Sequence, residues 1–205
     1  MRELTAKSAT LHRLASQRAD QHDAHLTSLS AIFVAGGVER QDLFLDVAAT
    51  IMRFYPRISS VNVIPFVASD PVIQTPPGLA SEDAALVVQM AISSTGALQI
   101  QQMPTKHDHY LLVKRTPNTG AARHGLALAV DASALVATDD PFWQKPSVSL
   151  RLLTSDSQNA LVGQSSSNDA EFSKPLGSMS QPLFFETGLV IRLADLLPIG
   201  KALIT

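Results

Sequence analysis

The 205-residue chain contains no cysteine. That absence removes disulfides, thiolate nucleophiles and sulfur-ligated zinc in one step. Aromatic residues are scarce at 5%, and the formal net charge is only −2. With neither a basic surface nor stacking rings, the sequence predicts no affinity for nucleic acid or anionic lipid. No run reaches the ~18 consecutive apolar residues that a membrane-spanning helix needs. The first thirty residues, rich in Ser, Gln, His and charge, lack the apolar core of a signal peptide. Two explanations fit: a cytosolic protein, or a stretch lying between two membrane helices. Catalytic signatures are missing as well. There is no Gly-x-Ser-x-Gly, no HExxH, no glycine-rich phosphate loop and no convincing carboxylate pair. The sequence therefore predicts no enzyme, no cofactor and no catalytic residue.

What is present is enough apolar material for a core, 45% of residues. From Leu4 to about Ala35 there is neither Pro nor Gly, and Gly36-Gly37 then stops the run. Leu4, Leu11, Leu14, Arg18, Gln21, His25, Leu29 and Ile32 recur at steps of three, four or seven, which places them on one helical stripe. Such a helix either packs along its own domain or serves as a dimer stalk, whose polar stripe positions set register. A second helix begins at Glu39 and ends before Pro56, and Ser60–Val67 reads as a strand. Residues 68–81 read as a loop because of Asp70-Pro71 and Pro76-Pro77-Gly78, and Ser81-Glu82-Asp83 opens a third helix. Strands are expected at Ala97–Met103, His109–Arg115 and Gly125–Val130, with Asp131 capping a short helix. After a connection at 139–146, further strands are expected at 147–153, 176–179, 181–186 and 189–193, with 163–171 a loop. Leu196 to Thr205 is apolar, as in the approach to a second membrane helix or an ordinary frayed terminus.

This order resembles the extracytoplasmic CHASE-type and Cache-type sensor domains of bacterial receptors, whose cores are PAS-like sheets. The stretches that carry the resemblance are His25-Leu26 through Leu29, Ile32-Phe33, Phe44, Tyr55-Pro56-Arg57-Ile58 and Val61-Asn62-Val63-Ile64-Pro65. Gly125 to Asp131 is similar to a last PAS strand, and Leu150 to Asp156 to the opening of a second unit. The resemblance implies an α+β fold: a long N-terminal helix (1–37), a PAS-like antiparallel sheet unit that binds the ligand (38–140) and a second, smaller PAS-like unit (141–205). It implies a periplasmic portion of an inner-membrane protein, tethered by flanking helices. Such a domain binds a small-molecule signal, dimerises through the N-terminal helix and drives a histidine kinase or similar output. A periplasmic protein-interaction module without a small-molecule ligand is the alternative.

Candidate ligand residues follow from strand alternation. Leu126, Leu128 and Val130 mark one strand face. Leu111, Val113 and Arg115 keep the same spacing on the neighbour, and Leu98, Ile100 and Gln102 on the next. Arg115 and Gln102 then end apolar rows, either orienting a polar ligand or lying beyond the sheet edge in water. Tyr110 offers a ring with a polar tip, and Phe66 belongs to the first strand. The expected ligand-binding set is Phe66, Gln102, Tyr110, Val113, Arg115, Leu126 and Leu128. No metal site is expected: His107-Asp108-His109 reads as a solvated turn, and His22 with His25 as a solvated or dimer-facing helix surface.

Overall fold

The computed structural model describes residues 2–36, 38–154, 160–163, 170–178 and 180–190. The unbroken helical run becomes α1, Arg2–Gly36. Its buried stripe passes through Leu4, Ser8, Leu11, Ala15, Ala19, His22, Leu26, Leu29 and Phe33, at steps of three or four. At 1.5 Å per residue this helix is roughly 50 Å long, and two sheets pack along it. The stripe is thus consumed inside the chain. A 3₁₀ turn at Val38–Arg40 leads into α2, Gln41–Phe54, which buries Phe44, Ala48 and Ile51. Tyr55 then leaves helical geometry one residue before Pro56.

The first sheet has five antiparallel strands in the order β2-β1-β5-β4-β3. They are β1 Ile58–Pro65, β2 Ile73–Thr75, β3 Gln99–Gln102, β4 His109–Thr116 and β5 His124–Asp131. Helix α3, Ser81–Ser93, lies between β2 and β3 in sequence, and α4, Ala132–Leu135, follows β5. Strand β2 sits inside the segment 68–81 that composition marks as loop, because three residues pairing with Val61–Val63 suffice for an edge strand. One face of the sheet packs on α1 and α2 through Val61, Val63, Tyr110, Leu112, Leu126, Leu128 and Val130. The opposite face packs on α3 through Leu111, Val113, Ala127 and Ala129 against Val87, Met90 and Ala91. Central strands covered on both faces lose their polar alternation, which is why β5 is buried from Gly125 to Val130.

The second sheet has four antiparallel strands in the order β7-β6-β9-β8: β6 Val148–Thr154, β7 Ala160–Val162, β8 Ala170–Pro175 and β9 Leu183–Leu189. It joins the same core under α1, through Leu152, Leu161, Leu176, Leu183 and Phe185. Hydroxyl pairs pin α1 to each sheet: Ser8 Oγ to Thr187 Oγ1 at 2.6 Å, and Ser30 Oγ to Thr116 Oγ1 at 2.5 Å. The expected strand at 176–179 is absent at the described residues 176–178. Pairing with β9 instead runs through Ala170–Pro175, whose first two residues fall in the segment 163–171 expected to be a loop. The turn at 155–159, most of the loop at 163–171 and the terminal run 196–205 lie outside the described residues. No helix among the described residues is long and apolar enough to cross a membrane.

The architecture is therefore α+β, with a long N-terminal helix and two antiparallel sheets in the double PAS-like arrangement.

Candidate functional site

Strand β5 carries large and small residues in alternation. Leu126, Leu128 and Val130 fill the α1 side, whereas Gly125, Ala127 and Ala129 face α3. Over Gly125 the helix comes close: a Cβ there would stand 2.9 Å from both Val87 Cγ1 and Ala91 Cβ. Ala129 lies at the other end of the row, beside the start of α3 and the loop 76–80. The result is a cavity of about 350 Å³, lined by Ser59, Ser60, Ala129, Asp83, Met103, Thr105, Lys106 and the loop 76–80. Its volume falls at the lower end of small-molecule pockets, roughly 300–1,000 Å³. The loop turns at Gly78, whose φ of +112° suits a residue without a Cβ. Leu79 N donates to Gln74 Oε1 at 3.2 Å and holds the loop to β2.

The cavity wall mixes hydroxyls, one carboxylate and one ammonium. Asp83 is 1% exposed, and its carboxylate accepts the Thr105 hydroxyl and, at 3.4 Å, the Thr105 amide. Lys106 is exposed at the mouth. Ser60 Oγ accepts from Asn62 Nδ2 at 2.9 Å. Asn62 is fully buried on the same strand face, and its Oδ1 has no hydrogen-bond partner. The arrangement can orient a small polar molecule.

The residues expected from strand alternation fall elsewhere. Register pairs Leu112 with Leu128 and Lys114 with Leu126, whereas Val113 pairs with Ala127 and Arg115 with Gly125. The expected common row of Leu126 and Leu128 with Val113 and Arg115 does not exist; the two sets lie on opposite faces, because a one-residue register difference exchanges faces. Leu126, Leu128 and Tyr110 belong to the α1 core. Tyr110 is fully buried and its hydroxyl donates to Gln181 Oε1 at 3.2 Å, so it ties the sheet to the second unit. Arg115 donates to Ser94 O at 3.0 Å and Thr95 O at 3.3 Å, satisfying carbonyls at the C-terminal end of α3. Gln102 Nε2 donates to His107 O at 2.6 Å. Phe66 lines a separate, more open apolar groove with Ile64, Val72 and Val88. None of the seven lines the cavity under the loop 76–80. The small residues of Gly125-Leu126-Ala127-Leu128-Ala129 were the sequence signal for which face is hollow.

A second polar cluster was read as helix surface and is interior. His22 is 0% exposed, and its Nε2 accepts from Arg57 Nε at 2.8 Å. Arg57 also donates to Gln21 Oε1 at 2.5 Å and stacks 5.0 Å from the Tyr55 ring centroid. All these partners are neutral. Burial first, and the Arg57 charge second, push the His22 imidazole down to about 3. His25 is lowered by the same two causes in the same order.

Comparison with solved structures places this fold among receptor ligand-binding domains. The ligand-binding domain of the Pseudomonas aeruginosa amino-acid chemoreceptor PctC, in complex with GABA, matches with a TM-score of 0.64 at 8% identity, over 92% of this chain and 100% of that one. That of PctB with L-Gln matches with a TM-score of 0.66 at 9% identity, covering 92% of this chain and 90% of that one. An extracellular ligand-binding receptor from Desulfohalobium retbaense matches with a TM-score of 0.60 at 8% identity, over 88% of this chain and 40% of that one. At such identities the likeness is one of fold, the double PAS-like fold of Cache-type sensors; the CHASE-specific likeness is not shown. No protein-family model matches the chain, and no curated protein matches it.

Proposed function

We propose that this chain is the extracytoplasmic sensing domain of a bacterial receptor, not an enzyme, and that it binds a small polar molecule in the cavity between β1, β5 and the start of α3. The observation that carries the reading is the cavity itself, which lies where β1 and β5 meet the start of α3 at Asp83 and the loop 76–80. Asp83 and Lys106 supply opposite charges on that wall, and Ser59, Ser60 and Thr105 supply hydroxyls. A ligand bearing both an ammonium and an acidic group, of amino-acid size, fits that set. A further support is the fold shared with chemoreceptor domains whose complexes hold GABA, L-Arg and L-Gln.

Ligand binding closes the loop and the α3 start on the sheet, and α1, which touches both sheets, carries the change toward the membrane. Signalling of this kind needs a ligand that binds two arrangements unequally. The outward face of α1 is the surface on which a second copy dimerises, because the inward stripe is already buried. The output is a histidine kinase or a comparable domain beyond this chain.

A thermal-shift screen of amino acids, small amines and small organic acids tests the reading. A true ligand at 100 times its dissociation constant stabilises by about 2.7 kcal/mol. Ala129→Leu, which fills the cavity floor, abolishes that shift while leaving the far-ultraviolet circular dichroism unchanged. A ligand whose shift survives Ala129→Leu binds somewhere else, and the assignment of the cavity is then wrong.

A further inference from the structure

We infer that Asp108, His109 and Asp131 form a binding site for a divalent transition-metal ion at the rim of the cavity. Each of the three offers one ligand atom, and these atoms lie within 4.8 Å of one another. They converge because β4 and β5 pair His109 with Asp131 directly, while Asp108 immediately precedes β4. The backbone holds each in place. His109 N donates to Lys106 O at 3.0 Å, and Ala132 N donates to Asp108 O at 2.9 Å. Asp131 Oδ1 accepts from Ser133 N at 2.8 Å and Ala134 N at 3.1 Å, which fixes the carboxylate and leaves Oδ2 for a cation.

The donor set has the chemistry of such a site. One imidazole and two carboxylates suit a borderline ion such as Zn²⁺, which takes N and O ligands at about 2.0–2.2 Å. Tetrahedral closure brings ligand atoms to roughly 3.4 Å from one another at those bond lengths. His109 Nδ1 and Asp108 Oδ1 share a hydrogen bond at 2.8 Å, so an ion takes the place of the bridging proton and this pair opens toward the ligand spacing. The Asp108 side chain is 62% exposed and that of His109 only 13%, giving an open entry beside an anchored ligand. Among the described residues Asp131 has no cationic partner, so an ion there neutralises a carboxylate that otherwise faces Asp108. Three protein ligands leave a coordination position for water or an exogenous donor. The site adjoins the cavity: Ala129, which lines it, precedes Asp131 by two residues on the same strand face, and Lys106 lies on both. An ion here either shapes the cavity rim or is itself the stimulus.

Isothermal titration of the 205-residue chain with ZnCl₂ decides the matter, with no organic ligand present, so that its failure and a failure of the cavity reading are separable. One ion per chain is expected. Binding should weaken tenfold or more in His109→Ala and in Asp131→Asn, the latter keeping an oxygen to cap α4. His107→Ala serves as the control and should bind as the wild type does. Thermal unfolding without zinc confirms that each variant is folded, and added zinc should raise the midpoint of the wild type and of His107→Ala alone. Absence of stoichiometric binding in the wild type overturns the inference. So does binding that survives both substitutions, or that is lost only with His107.

Discussion

His22 makes acid the most informative perturbation of this fold. It lies fully buried on α1, facing Arg57 from the start of β1, His25 one turn along the helix, and Gln181 from the second unit. Its Nε2 accepts from Arg57, so protonation replaces a hydrogen bond with two facing donors. Folded, the imidazole titrates at about 3, against 6.5 when free in the unfolded chain. Above pH 6.5 both states hold it neutral and it contributes no pH dependence. As pH falls below 6.5 the unfolded state takes up a proton that the folded state refuses. Stability then drops by about 1.4 kcal/mol per pH unit, and the loss saturates near pH 3. From this residue alone the loss is about 2 kcal/mol at pH 5 and a little over 4 kcal/mol at pH 3. His25, lowered by burial and by Arg57, adds in the same direction. Urea unfolding followed by Trp143 fluorescence at pH 7.5, 6, 5 and 4 measures the slope, and His22→Gln supplies the comparison. Gln cannot titrate, and its carbonyl can still accept from Arg57. The difference between wild type and variant should grow steadily as the solution is acidified. Parallel pH profiles for the two proteins would refute the reasoning.

Gly125→Val places branched carbons where even a Cβ would meet Val87 and Ala91 at 2.9 Å. It should cost about 1–3 kcal/mol by overpacking, seen as a lower urea midpoint, with Gly125→Ala at the low end. Ser8→Ala strands the buried Thr187 hydroxyl and should cost about 1–2 kcal/mol, whereas Ser8→Ala with Thr187→Val should cost less than the sum of the single changes, because both polar groups leave together. A double-mutant cycle by chemical denaturation checks the sign of that coupling.

The neutrality of the Arg57 cluster bears on how the two units communicate. Arg57, His22, Tyr110 and Gln181 link α1, one end of the first sheet and the loop before β9 without one carboxylate. Gln181 Nε2 also donates to Ala19 O at 2.5 Å. A shift of α1 therefore disturbs buried polar contacts in both units at once, and such contacts have few alternative partners.

Local chemistry alone determined a good part of this protein. The absence of Pro and Gly through residue 35 dictated one long helix, Pro56 its successor's end, and apolar runs between turn residues the strands expected at 60–67, 109–115 and 125–130, which the structure places at 58–65, 109–116 and 124–131. Element order was enough to suggest an α+β sensor fold. Tertiary structure alone decided which strand face meets which layer. Period two marks two faces on each strand but does not say how neighbouring strands align, and a one-residue shift moved Val113 and Arg115 away from Leu126 and Leu128. Burial of His22 was likewise hidden, because a stripe of polar residues on a helix reads as surface until a second unit packs against it. The cavity arises from where α3 starts relative to Ala129, a distance between elements far apart in the chain that no local pattern encodes.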